Sequence, residues 1–130
     1  GYNFLPQLKG RSAPKGWRNH ILIEAGNSKG VVTKRWKYIA NRVSTEVEAK
    51  MKAAPKKVFW SGVDHHNYRT EKLYPGYWDA DQLYDLDSDL YEQNNLINSF
   101  ENKQTVSEMK ALLRSYVSDL PHAFGEFSDK

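Results

Sequence analysis

The chain has 130 residues, enough for one compact core, and its 39% hydrophobic content with 17 aromatic residues excludes a disordered chain. The absence of cysteine excludes disulfides, thiolate metal sites and a cysteine nucleophile, and no apolar run approaches the ~18 residues needed to span a bilayer. The formal charge of +3 hides an asymmetry, because residues 1–57 carry 13 Lys and Arg against 3 Asp and Glu while residues 58–130 carry 6 against 13. Such a split can mark a polyanion-binding face, but the basic residues form no block of like charge and read as a solvated surface that partly neutralises the acidic half. The chain begins at Gly1 without Met, which reads as a piece of a longer protein or as a purification scar.

In chain order, "FLPQLKG" predicts one short turn in which Phe4, Leu5 and Leu8 dock, followed by a loop punctuated by Pro and Gly. "HILIEAGNSKGVVTKRWKYIANRV" predicts two or three antiparallel strands, with "GNSKG" turning a hairpin. From Trp36 onward, Trp36, Tyr38 and Ala40 alternate with Lys37, Ile39 and Asn41 on opposite sheet faces. "STEVEAKMKAAP" predicts a short helix, with Thr45 and Glu48 at capping-box spacing, Val47 and Met51 one turn apart and Pro55 as its stop. "KKVFWS" is strand-like, residues 62–77 are loop-like and "QLYDL" is a further short strand. A second capping box, Thr105 with Glu108, opens a helix whose Met109, Leu112, Leu113, Tyr116, Val117 and Leu120 share one face, before Pro121 closes it. Strands early, one long amphipathic helix late and no βαβ alternation predict a single α+β domain over residues 1–130, a small antiparallel sheet packed against that helix.

The chemistry is concentrated in "YWDADQLYDLDSDLYEQNNL", residues 77–96, which holds six carboxylates and no Lys or Arg. Asp85, Asp87 and Asp89 match the first three ligand positions of a calcium loop, but Leu90 stands where Gly is required and Leu96 where a bidentate Glu belongs. No shaped pocket is visible that would separate the pKa values of a catalytic pair, so the segment reads as turn carboxylates bonding their own backbone. His65 and His66 lie in "GVDHHNYRT" beside Asp64, Asn67, Tyr68 and Arg69, a dense set of donors that either contacts a sugar or sulfate or is a solvated loop. Neighbours in an extended loop point apart, which argues against joint metal ligation. Arg18, His20 and Glu24 share one strand face and read as a structural polar cluster. No catalytic triad, phosphate-cradling loop or metalloprotease helix is identifiable.

Taken together, "FLPQLKG", "RNHILIE", "VVTKRWKYIA" and "DQLYDLDSDLYEQNNL", followed by the terminal helix, resemble the C-terminal part of the type I sulfatases, the formylglycine-dependent enzymes of the alkaline phosphatase superfamily. That family closes on a pattern of LYDL, a few residues, DP, one residue, E, two residues, NL. Leu83 to Leu86, Asp89, Glu92, Asn95 and Leu96 match it, and Leu90 stands in place of the usual Pro. The resemblance covers residues 1–10, 18–42 and 77–120, and leaves 43–76 unmatched.

The resemblance implies a sulfatase C-terminal subdomain in which the acidic segment is scaffold. It implies a sulfuric ester hydrolase as parent, needing calcium and a formylglycine held in the preceding N-terminal sulfatase domain, which would be this chain's partner. No catalytic residue, metal ligand or cofactor is assigned to the chain itself, and the fragment alone is expected to be inactive. Trp60, His65, His66, Tyr68 and Arg69 are the candidates for contacting a sulfated carbohydrate substrate in the parent, since specificity contacts tend to sit on variable loops. No nucleic-acid or membrane partner is expected on this reading, and the compartment is left open. Two other readings compete. One is a free-standing module for anionic glycans or nucleic acid with Trp17, Trp36 and Trp60 as stacking platforms, and the other is a purely structural interaction domain.

Overall fold

A computed structural model of the chain describes residues 5–12, 18–53 and 73–127. The element order is α1 (Leu5–Leu8), β1 (His20–Ala25), β2 (Ser28–Thr33), β3 (Trp36–Asn41), α2 (Thr45–Ala53), β4 (Asp81–Asp85) and α3 (Lys103–Val117). All four strands pair antiparallel in the order β1-β2-β3-β4, which makes this an α+β fold. Gly26 and Asn27 form the two-residue turn between β1 and β2, and Gly26 adopts φ 57°, the left-handed backbone that glycine takes without steric cost.

Residues paired in register project to the same side of a sheet, so Leu22, Val31, Tyr38 and Leu83 form one apolar row across all four strands. Helix α3 covers that row. Met109, Leu113 and Val117, four residues apart, are buried against it, with Val106, Leu112, Tyr116 and Leu120 packed at the margins. The core is completed by Phe124 and Phe127, which turn back beyond Pro121; Phe127 lies 6.3 Å from the Tyr38 ring and 6.0 Å from Phe124. Those two phenylalanines lie past the point where the apolar spacing of the helix ends. Among the described residues no helix is long and apolar enough to cross a membrane.

Three local expectations are corrected. Helix α2 is capped by Ser44, whose Oγ accepts the Val47 N–H at 3.3 Å while its carbonyl accepts the Glu48 N–H at 2.9 Å, so Thr45 is the first helical residue. Helix α3 starts at Lys103, out of a 3₁₀ turn at Phe100–Asn102, which leaves Thr105 inside the helix and Glu108 accepting from Gln104 at 2.8 Å. The leading turn does form, but Leu5 and Leu8 expose 52% and 74% of their surface instead of docking. Four residues make too short a helix to hold an apolar face against the sheet without further partners.

Candidate functional site

The segment with the densest chemistry folds as β4 and the turn after it, and its carboxylates are engaged individually. Asp79 accepts from Asn95 Nδ2 at 2.7 Å, and its backbone carbonyl accepts from Asn41 Nδ2 at 2.7 Å. Asp81 accepts from Arg42 Nη2 at 3.0 and 3.2 Å and from the Tyr38 hydroxyl, with Lys110 Nζ at 3.7 Å. Asp85 takes a two-pronged bond from Arg35, Nε at 3.0 Å and Nη2 at 2.8 Å. Asp89 accepts the backbone N–H groups of Gln93 and Asn94 at 2.9 and 2.8 Å, closing the turn. Glu92 meets Lys37 at 2.6 Å and holds φ 58°, a left-handed conformation that a β-carbon disfavours. Asp87 is well exposed and only loosely held, 3.9 Å from Arg35. The three calcium-loop positions therefore point to three different places, on an arginine, on solvent and on a turn backbone.

These contacts also compensate part of the charge asymmetry. Arg35, Lys37 and Arg42 on the β3 side pair with Asp85, Glu92 and Asp81 from the acidic half. The pairs shift the ionisation of their members. The Arg35 hydrogen bonds hold the Asp85 carboxyl below its usual range, and that carboxylate raises the Arg35 guanidinium in return. Burial works against the charge of Arg42, but hydrogen bonds to Glu126 and Asp81 outweigh it and raise its pKa. Those bonds, 2.8 and 2.5 Å from Arg42 to Glu126, hold the Glu126 carboxyl down at about 2. Burial pushes the Tyr84 hydroxyl up to about 12, with Glu92, Asp79 and Asp89 adding to the effect. Tyr38 moves in the same direction, through burial first and its bond to Asp81 second.

Asn95 is the residue that the rest of this segment is built around. Its Oδ1 accepts the N–H groups of Leu83 at 2.9 Å and Ile97 at 3.1 Å, and its Nδ2 donates to Asp79 and to the Asp81 carbonyl. Gly76 lies against this cluster, where a β-carbon would come within 2.6 Å of the Tyr84 hydroxyl. Beside it is an open depression of about 470 Å³ lined by Asp79, Asp81, Asn98, Lys110 and the apolar Ile97 and Val106. Its donors and acceptors could hydrogen-bond a hydroxyl-rich ligand, but each carboxylate in it already has a partner. Tyr38, Arg42, Asp81, Lys110 and Glu126 form a network that spacing did not reveal, because bonded partners in it, such as Arg42 and Glu126, lie as far as 84 residues apart. Among the described residues no group of three or more His, Asp or Glu gathers at metal-holding distance.

The sequence-predicted contact residues Trp60, His65, His66, Tyr68 and Arg69 lie outside the described residues. Of the strand cluster, Glu24 pairs with Lys29 at 2.9 Å and His20 lies 2.6 Å from Asn19 and edge-on to Tyr116, while Arg18 precedes the strand. Trp36, a proposed stacking platform, is half-buried against the core and covered by Arg35 at 4.8 Å.

No family model matches the sequence, and no curated protein matches it. Solved structures do match in fold. A candidate sulfatase from Bacteroides thetaiotaomicron superposes with a TM-score of 0.53 at 18% identity, over 86% of this chain and 18% of that one. A second protein of the same organism, from a core genetic locus for the metabolism of multiple glycosaminoglycans and labelled 6S-sulf, gives 0.45 at 24% identity, over 86% of this chain and 23% of that one. The chain thus spans about a fifth of the length of these structures, and with the first of them it shares the fold of a segment of a candidate sulfatase.

Proposed function

We propose that this chain is the C-terminal subdomain of a sulfatase, serving as scaffold beside the active-site cleft of its parent and supplying substrate contacts from Trp60, His65, His66, Tyr68 and Arg69. The observation that carries this reading is the fold likeness to a segment amounting to 18% of a candidate sulfatase. The order of the family-like stretches along the chain adds to it, and so does the use of the pattern residues Asp89, Glu92 and Asn95 as turn and edge supports. The exposed Leu90 and Tyr91, on the turn after β4, give the scaffold an apolar surface against which a neighbouring domain can pack.

On this reading the chain contributes no reacting atoms. Its carboxylates between Asp79 and Glu92 are committed to arginine, lysine, amide and backbone partners, with the exposed Asp87 the one loosely held, and do not fit a calcium cage. The calcium and formylglycine of such a parent would supply charge stabilisation and the nucleophile from other polypeptide. The substrate class proposed is a sulfated carbohydrate.

The test begins with the coding sequence upstream of Gly1, where a C/S-x-P/A-x-R motif is expected. In the full-length parent, His65→Ala with His66→Ala and Arg69→Ala should lower kcat/KM for a sulfated saccharide while leaving a small aryl sulfate unaffected. An upstream sequence lacking the motif overturns the sulfatase assignment. Equal loss on both substrates, or on neither, overturns the substrate role of these residues.

A further inference from the structure

The outer edge of β1 offers a site of a different kind. The two-residue turn makes Ala25 and Ser28 a pair that exchanges both backbone hydrogen bonds. Alternation then directs the peptide groups of Ala25, Ile23 and Ile21 toward β2, and those of Glu24, Leu22 and His20 outward. Among the described residues no strand pairs with these outward groups. Of the devices that blunt an edge the strand has neither Pro, Lys nor a bulge, Glu24 being its one carboxylate, and Ile21 is 43% exposed.

A twofold antiparallel pairing of this edge with itself centres on one of the three outward residues or on Ile21 or Ile23 between them, and centring on Ile21 or Ile23 sets Leu22 opposite His20 or Glu24 instead of an apolar side chain. Centring on Glu24 sets two carboxylates directly opposite each other, which is destabilising. Centring on His20 faces two imidazoles and runs off the start of the strand. Centring on Leu22 puts leucine against leucine, Ile21 against Ile23 of the second copy, and His20 against Glu24 of the second copy at both ends. The side chains are arranged for it: His20 Nδ1 lies 2.6 Å from Asn19 Oδ1, which leaves Nε2 to meet a carboxylate, and Lys29 fixes Glu24 over the same face at 2.9 Å. We infer that the β1 edge is a self-association surface, pairing antiparallel about Leu22 with β1 of a second copy of this chain to join two sheets into one.

A strand-to-strand contact of this length falls below the roughly 1,200 Å² of standard interfaces and is of the weak class, so sedimentation of the full chain is followed up to about 1 mM. The mass is expected to rise toward a dimer, and Ile21→Lys, with unchanged circular dichroism, to stay monomeric throughout. Register is read from disulfides, since the chain has no cysteine of its own. Residues 21 and 23 of the second copy would form a non-hydrogen-bonded pair about 4.5 Å apart, within the ~4.4–6.8 Å that a disulfide bridges. An equimolar mixture of Ile21→Cys and Ile23→Cys should therefore cross-link under oxidation, and each variant alone should not. A wild-type chain that remains monomeric, a dimer that Ile21→Lys leaves intact, or cross-linking no better in the mixture than in the single variants overturns the proposal.

Discussion

On the β4 edge of the sheet, Leu83 has its outward N–H bonded to the side-chain oxygen of Asn95 and its carbonyl bonded to the N–H of Leu96, at 2.9 and 2.8 Å. On the β1 edge, the outward groups of His20, Leu22 and Glu24 meet no strand among the described residues. An asparagine amide followed by one backbone N–H thus does at β4 what a fifth strand would do, and it uses residues that the family-like pattern singles out. The difference teaches that an edge need not be closed by another strand. It also locates where further pairing can occur, since the outward backbone groups of Leu83 are satisfied at β4 while, among the described residues, no strand pairs with those of β1.

The largest effect tests what both edges share. Leu113→Ala empties the centre of the α3 face, where Leu113 is fully buried, and should cost about 2–5 kcal/mol. Denaturant unfolding measures the loss, and amide exchange should quicken in β1 and β4 together. Asn95→Ala separates them. It strands the Leu83 and Ile97 N–H groups, at roughly 1–3 kcal/mol for each donor left unpaired, and exchange should accelerate at those residues but not in β1. Asn95→Asp keeps the acceptor and replaces the donor by a charge beside Asp79, so it should be less harmful at pH 4 than at pH 7.

Acidification probes a third point of closure, the C-terminal turn that Arg42 ties to the β4 end of the sheet. The Glu126 carboxyl is held at about 2 against 4.5 for the ordinary group, so its folded-state pKa is depressed. Its contribution is present above pH 4.5 and is lost as pH falls toward about 2. Urea midpoints should drop across that window. Glu126→Gln should reduce the slope, leaving the part due to Asp85, whose pKa is also lowered. Glu126 is half-exposed, so screening by solvent and salt will make the effect modest.

The strands were legible because alternation survives any tertiary detail: Tyr38 and Ala40 are buried where the period of two places them. The α3 face was legible for the same reason, since Met109, Leu113 and Val117 recur at the helical period. Helix starts were not, because Ser, Thr and Glu are frequent enough for the capping pattern to fit in more than one register. Ser44, adjacent to Thr45, won that competition in α2. The turn role of Asp89 was legible, as it bonds backbone four and five residues on, but the cross-chain partners were not, since Asp85 is held by Arg35, 50 residues away, and Glu92 by Lys37, 55 residues away. Phe124 and Phe127 carried a readable signal, two aromatics three apart around Gly125, but lay beyond a proline that marks only the end of a helix.

The smallest expected effect is the most discriminating for the edges. In a single copy, Ile21→Lys replaces a side chain already 43% exposed, on an edge that no strand among the described residues pairs with outward, and should change unfolding stability by no more than about 0.5 kcal/mol. The lysine stem can still cover Val32, its register partner on β2, while the ammonium stays in water. A loss of 2 kcal/mol or more at dilute concentration would mean that Ile21 is packed within the monomer, and that the β1 edge is closed in some way after all. An unchanged stability at dilute concentration, combined with a wild-type midpoint that climbs with protein concentration and a variant midpoint that does not, would assign the exposed isoleucine to contact between chains, because only an associating fold draws stability from its own concentration.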